Sequence, residues 1–458
     1  MAADRTELET SLPAWLPGQR WFGDKTRPIT GCRVIASYSL DGDADLHIVR
    51  VEFTEGSPAD YVIPTVDGSF AGATTSAIFL ADLGHVVSGS REWGNSITRQ
   101  ELSNDRDDLG LLTATALEVE QSNTTIRYGD RWAVKMSRRL SYGPSPELEL
   151  SAVMNRWTGE RCAPRVAVAL HIRTDAGVAP LAIQAEFVVN LGDGWAFVLD
   201  ALRTEASSSP PSLDGCASIR EVEAVADLTA DMHAALSLDP WTRNVAPERI
   251  TEEAVRGWQA AVGESLRSGL TLLDAARPTL GGRSARLADL VSATTPTLHH
   301  NLENVRALVG SQRIRVHGDY HLGQVLRTKQ GRYVAIDFDG EPQRSLDERR
   351  AKYSPLRDVA GMMGSFSYAV GTVQSELDDV LADGWLRAWE RAARTAYVSR
   401  YVGRAASNGS DLLPRDPERI RQALAALEFE KAVYMIHYEL NNRPAWVWIP
   451  LSQLVTMG

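Results

Sequence analysis

Val316-His317-Gly318-Asp319-Tyr320-His321-Leu322-Gly323-Gln324 is followed, twelve residues after its last position, by Ile336-Asp337-Phe338-Asp339-Gly340-Glu341-Pro342. The first run sets an amide, Gln324, five residues after Asp319. The second reads as an apolar strand that ends in an acid. Phosphoryl transfer needs such a set: one carboxylate to accept the proton of an attacking hydroxyl, and an amide oxygen with a second carboxylate to hold Mg²⁺ against nucleotide phosphates. The protein-kinase catalytic loop keeps the same register, with Asn where this chain has Gln324.

The nucleotide-holding half of such a protein is expected upstream. Glu118-Val119-Glu120-Gln121-Ser122-Asn123-Thr124-Thr125-Ile126 reads as strand, small polar turn, strand. Arg131-Trp132-Ala133-Val134-Lys135-Met136 is a strand with one Lys among apolar neighbours, and Pro146-Glu147-Leu148-Glu149-Leu150 opens a helix. A strand Lys can reach the α- and β-phosphates, and a helix carboxylate can hold it in place. The turn from Gln121 to Thr125 could cover the phosphates with N–H groups and hydroxyls. It lacks the glycines of a Gly-rich loop.

Composition narrows the setting. The chain has 458 residues, 44% hydrophobic and 23% charged, the balance of a soluble globular protein long enough for two or three domains. A net charge of −11 argues against nucleic acid or an anionic membrane as the main partner. The opening residues carry no apolar core of a signal peptide. No run of about 18 apolar residues suggests a membrane span. Three scattered cysteines, Cys32, Cys162 and Cys216, fit reduced thiols in a cytoplasm.

Residues up to about 90 read as strands; Val49-Arg50-Val51-Glu52-Phe53 alternates at period two and Gly56-Ser57-Pro58 closes it. Residues 91–190 carry the nucleotide-binding strands and end in Ile183-Gln184-Ala185-Glu186-Phe187-Val188-Val189. That run is expected to be a hinge where backbone groups of Glu186 and Val188 meet adenine. Helices dominate from 191 to 458. Val222, Val225, Leu228, Met232 and Leu236 repeat at helical spacing, with His233 read as a core or surface histidine. A long helix is expected to start at Asp416-Pro417 and stop before Pro444. Lys431, Tyr434 and Tyr438 share one of its faces. Asn441-Asn442-Arg443-Pro444-Ala445-Trp446-Val447-Trp448 follows, rich in the amides, guanidinium and indoles that suit sugars.

In this order the chain resembles the actinobacterial maltokinase-like family, in the aminoglycoside-phosphotransferase-like branch of the eukaryotic-type kinase fold. The resemblance rests on Gln19-Arg20-Trp21-Phe22, Glu120 to Thr124, His317 to Thr328, Asp337 to Pro342, Ser354 to Gly361, Lys431 to Tyr434 and Arg443 to Trp446. It implies a bilobal α+β fold with a β-rich N-terminal cap (1–90), a β-rich N-lobe (91–190) and a mostly helical C-lobe (191–458). It implies ATP and Mg²⁺ as cofactors and Asp319 as the base. Gln324 and Asp337 would be the metal ligands. Ser122, Asn123, Thr124 and the pair Lys135–Glu149 would hold phosphates.

The acceptor is expected to be a polyhydroxylated small molecule. His321, Asp339, Arg357, Tyr438, Glu439, Asn442, Trp446 and Trp448 are its candidate contacts, with Asp319, and no Ala-Pro-Glu signature of a protein kinase is present. The family's usual Asp-Phe-Glu-Gly-Glu-Pro has Asp339 for its first Glu here, and Met435 stands where Lys-Ala-Val-Tyr-Glu has its Glu. A pocket of Asp319, Asp339 and Glu439 would favour a protonated amine, so glucosamine phosphorylated at its 6-hydroxyl is the expected reaction. Maltose, giving maltose 1-phosphate, is the alternative. An aminoglycoside-type antibiotic phosphotransferase and a nucleotide-binding pseudokinase are the further readings. No partner protein is implied.

Overall fold

The computed structural model describes residues 5–457 except 26, 41–42, 105–106, 118–122, 208–212, 214, 239–243, 342–343, 378–379 and 410. The chain divides into two compact units, residues 1–155 with 164–189, and residues 156–163 with 190–458.

The first unit carries two sheets. Helix α1 (Arg5–Trp15) precedes an antiparallel meander of β1 (Ile29–Ser39), β2 (Ala44–Phe53) and β3 (Ala59–Val66). Period two sorts β2 into two faces. Val49 and Val51 pack with Leu8, Leu12 and Leu16 of the α1 region, while Leu46 and Ile48 pack with Phe79 and Leu83 of α2 (Ala77–Ser88). Both faces are therefore buried. The expectation of strands alone up to residue 90 is corrected by these two helices, whose short apolar runs a strand pattern mimics.

The six-stranded sheet has the order β4-β8-β9-β7-β6-β5. Its strands are β4 (Ile97–Glu101), β5 (Ala114–Ala116), β6 (Asn123–Tyr128), β7 (Trp132–Ser137), β8 (Val166–Thr174) and β9 (Gly177–Glu186). Trp132, Val134 and Met136 alternate into its core, which leaves Lys135 on the opposite face. Helix α3 (Pro146–Met154) follows; the Ser145 hydroxyl caps it and Pro146 sits in its first turn.

The second unit is mostly helical. It contains β10 (Asn190–Asp193), α4 (Gly194–Ser207), α5 (Ala217–Leu236), β11 (Glu248–Arg249), α6 (Glu252–Ala276), α7 (Gly282–Glu303) and β12 (Gln312–Arg313). Next come β13 (Val325–Thr328), β14 (Tyr333–Ala335), α8 (Leu346–Arg350), α9 (Leu356–Leu377), α10 (Val380–Ser407), α11 (Pro417–Asn442) and α12 (Trp448–Met457). Val222, Val225, Leu228, Met232 and Leu236 of α5 are buried, as their spacing predicts. Helix α11 starts behind an Asp416 cap and ends at Asn442. Among the described residues no helix is long and apolar enough to cross a membrane.

Candidate active site

The segment from Val316 to Glu341 is a loop, a short antiparallel ribbon and a second loop. Val325, Leu326 and Arg327 of β13 pair with Ala335, Val334 and Tyr333 of β14. Gln324 closes the ribbon: its carbonyl accepts from Ile336 N–H at 2.9 Å. That contact sets Gln324 beside the residue after Ile336, and the Gln324 amide head lies 3.4 Å from Asp337 Oδ2. Asp337 has φ +64, in the left-handed region. A non-glycine residue there costs about 1–2 kcal/mol, and such outliers cluster where a side chain must be aimed. Turning the amide over about its last bond presents Oε1 beside the carboxylate. Two hard oxygen donors side by side suit Mg²⁺, so Gln324 and Asp337 fit that ion.

The loop bearing Asp319 is pinned from below. Asp358, 2% exposed on α9, accepts the N–H groups of His317 at 2.8 Å and Gly318 at 3.0 Å. Gly318 has φ +86, which a side chain would resist. His317 is buried and donates from Nε2 to the Ile336 carbonyl at 2.8 Å, tying the loop to the strand that leads to Asp337. Burial raises the Asp358 carboxyl, but His233, His317 and the Gly318 N–H outweigh it and hold it below its ordinary value. Asp319 itself keeps 25% of its side chain open to solvent.

Beside Asp319 lies Lys431, a cation from the α11 face that also carries Tyr434 and Tyr438. Lys431 Nζ is 3.8 Å from Asp319 Oδ1 and 2.7 Å from Glu341 Oε1. Burial would lower the Lys431 pKa; Glu341 and Asp319 outweigh burial and raise it. Glu341 is 3% exposed. Burial pushes its carboxyl up, yet Lys431, Arg357 and Arg344 draw it down to about 2. In the sequence Lys431 is marked by the Lys431 to Tyr434 motif of the family resemblance.

The candidate acceptor contacts separate. His321 accepts the Gly323 N–H at Nδ1, 3.1 Å away, capping a short 3-10 turn, and burial ahead of nearby charges lowers its pKa. The Asp339 carbonyl accepts from Arg349 at 3.2 Å. Arg357 pairs with Glu430 at 2.9 Å and lies over the Tyr353 ring. Glu439 is more enclosed. It is fully buried, accepts from Tyr368 at 2.7 Å and pairs with Arg443 at 2.6 Å, so it offers no open carboxylate to an amine. Arg443 in turn lies 5.3 Å from the Tyr438 ring and 6.0 Å from Trp446. Asn442 is exposed and donates to the Tyr438 carbonyl. Trp448 points elsewhere. Arg283 stacks on it at 3.6 Å, and a Cβ on Gly371 of α9 would come within 2.9 Å of it.

In the first unit, Lys135 Nζ donates to Glu147 Oε2 at 2.8 Å. The expected partner was Glu149. Glu149 lies two positions further along the same helix. Of the phosphate-turn candidates, Ser122 lies outside the described residues. Asn123 opens β6 opposite Ser137. The Thr124 hydroxyl is engaged by Arg138 Nε at 2.7 Å, a buried guanidinium whose pKa burial lowers to about 9. Of the residues expected to meet adenine, Glu186 donates its N–H to the Arg165 carbonyl at 2.9 Å. Val188 is half-buried just past β9.

Each unit thus carries groups that a phosphotransferase of the kinase fold uses: in the second, a pinned His-Gly-Asp loop with an amide and an acid joined by a ribbon, and in the first, a strand Lys paired with a helix Glu. Comparison with known proteins agrees. Residues 15–93 match the maltokinase N-terminal cap domain. A glucosamine kinase of Mycolicibacterium smegmatis is 30% identical over 339 residues, 74% of this chain and 78% of that protein. One from Streptacidiphilus jiangxiensis is 29% identical over 336 residues, 72% of this chain and 70% of that protein. The structure of a glucosamine kinase in complex with glucosamine, ADP and inorganic phosphate covers 100% of this chain and 99% of its own, with a TM-score of 0.68 and 24% identity, which shows the shared fold. The chain belongs to the family of these glucosamine kinases.

Proposed function

We propose that this chain is an ATP-dependent sugar kinase that transfers the γ-phosphate to the 6-hydroxyl of glucosamine. The observation that carries the kinase reading is Asp319, partly open to solvent on a loop whose backbone is fixed by Asp358. In this reading Asp319 accepts the proton of the sugar hydroxyl as it attacks. Lys431, 3.8 Å away, sets a positive charge beside that carboxylate. Lys135, steadied by Glu147, holds nucleotide phosphates. Gln324 and Asp337 would hold Mg²⁺, which supplies charge neutralisation at those phosphates when bound. Proton transfer to a positioned base contributes about 10²–10⁴ in rate.

Glucosamine as acceptor is supported by the relatives, which are glucosamine kinases along some three-quarters of this chain. The charges nearby favour a second reading. Asp319, Glu341, Glu430 and Glu439 are matched by Lys431, Arg344, Arg357 and Arg443. Electroneutrality of this kind suits an uncharged sugar, and maltose giving maltose 1-phosphate is that reading. The test is kcat/KM for glucosamine, glucose, N-acetylglucosamine, maltose and kanamycin with MgATP under one set of conditions. Glucosamine should rank first, at least about tenfold above glucose if one charged contact is lost. Maltose in first place transfers the conclusion to the second reading. Kanamycin in first place, or no turnover with any of them, overturns both.

A further inference from the structure

Asp358 does not act alone. His233, on the last turn of α5, is 1% exposed, and its Nε2 lies 3.1 Å from Asp358 Oδ2. Its Nδ1 lies 3.0 Å from the hydroxyl of Tyr401 on α10, also 1% exposed. Both ring nitrogens are therefore used. The Tyr401 hydroxyl can donate to Nδ1, which leaves the proton on Nε2, facing the carboxylate. The opposite tautomer would set a nitrogen lone pair against Asp358. Three helices, α10, α5 and α9, thus contribute one residue each to a buried chain that ends on the backbone of His317 and Gly318, next to the base.

We propose that His233 is a positioning residue for phosphoryl transfer, acting through Asp358, with Tyr401 fixing its tautomer. The inference rests on the kinase reading of Asp319. A buried carboxylate that accepts two backbone N–H groups has a third donor in His233. Without it, Asp358 turns toward water or takes up a proton, and either change loosens its hold on the peptide units before Asp319. A displacement of about 1 Å at a reacting group can cost about 10²-fold in rate. Nucleotide affinity depends on other residues and should be spared.

The decisive variants are His233→Leu, His233→Gln and Tyr401→Phe in the full-length chain. His233→Leu should lower kcat about 10- to 100-fold while KM for ATP and the Kd for MgADP stay within about twofold of wild type. His233→Gln restores one donor toward Asp358 and should recover much of kcat. Tyr401→Phe should cost only a fewfold. A second measurement does not need turnover. In hydrogen exchange resolved to the loop, His317 and Gly318 amides should exchange about tenfold faster in His233→Leu, with the β13–β14 ribbon unchanged. If the wild-type chain phosphorylates no sugar, the kinase reading fails, and exchange alone decides the positioning claim. A kcat for His233→Leu within twofold of wild type, or loss of kcat with no recovery in His233→Gln and unchanged loop exchange, overturns the proposal. Should His233→Leu not fold, His233→Ala, which also removes the donor, decides it by the same two measurements: wild-type loop exchange and kcat in that variant would sink the proposal.

Discussion

The catalytic segment and the end of α11 teach opposite lessons about a charged site. From Val316 to Glu341 the candidate catalytic groups are joined through near neighbours: His317 reaches Ile336, and Gln324 meets Asp337 thirteen residues on. In the second half of α11 the charges are answered from the next turn, as Glu439 is by Arg443, and from far along the chain. Lys431 meets Glu341 across 90 residues, and Glu439 meets Tyr368 across 71. The first region exposes its chemistry and buries its supports. The second buries its acids and leaves part of a cation, Arg443, at the surface. An acid on α11 is therefore a structural charge until shown otherwise, whereas Asp319, partly open to solvent, is the acid we propose as the base.

The sharpest way to break this contrast is Asp319→Asn. The isostere keeps the packing, so the fold and MgADP binding should persist while kcat falls about 10²–10⁴-fold. Steady-state turnover beside thermal unfolding checks it; more than a tenth of wild-type activity would return Asp319 to an ordinary loop acid.

Lys431→Met probes where the two regions meet. It removes the cation beside Asp319 and leaves buried Glu341 with Arg344 and Arg357. The unmatched charge should cost about 1–3 kcal/mol at neutral pH. Glu341 is held near 2 against an ordinary 4.5. Its stabilisation is therefore full above that ordinary value and fades as pH falls toward 2. Without Lys431 the folded-state value lies closer to 4.5, so less stabilisation is present at neutral pH and the last of it is lost at a higher pH; the acid unfolding midpoint should move up. Denaturation followed from pH 7 to pH 2 checks the sign, and an unmoved midpoint contradicts the pairing.

In the first unit, Glu147→Gln should raise KM for ATP about tenfold, the equivalent of one lost charge-assisted contact. Glu149→Gln should do clearly less. Equal effects would restore Glu149 as the partner of Lys135. The smallest effects are expected at the two tryptophans. Trp446→Ala should raise the acceptor KM a fewfold with little change in melting temperature. Trp448→Ala should do the reverse, because its ring packs on α9 under Arg283. Measuring both constants on both variants separates ligand plate from packing plate.

The sequence by itself determined the chemistry. His317, Asp319, Gln324 and Asp337 lie within about twenty residues, and a loop followed by a two-stranded ribbon can close on itself with little freedom. Period-two alternation also assigned β2 and β7, and Asp416-Pro417 marked the start of α11, because these signals act between neighbours in the chain. Tertiary structure decided which charges are spent on one another. That Lys135 meets Glu147 depends on how α3 is rotated against β7, and a shift of two positions is invisible to composition. That Glu439 meets Tyr368 and Arg357 meets Glu430, while Lys431 stands beside Asp319, depends on helices brought together from distant parts of the chain. A carboxylate written in sequence carries one charge everywhere. Only burial and a partner within about 4 Å settle whether that charge is available to a substrate or already neutralised.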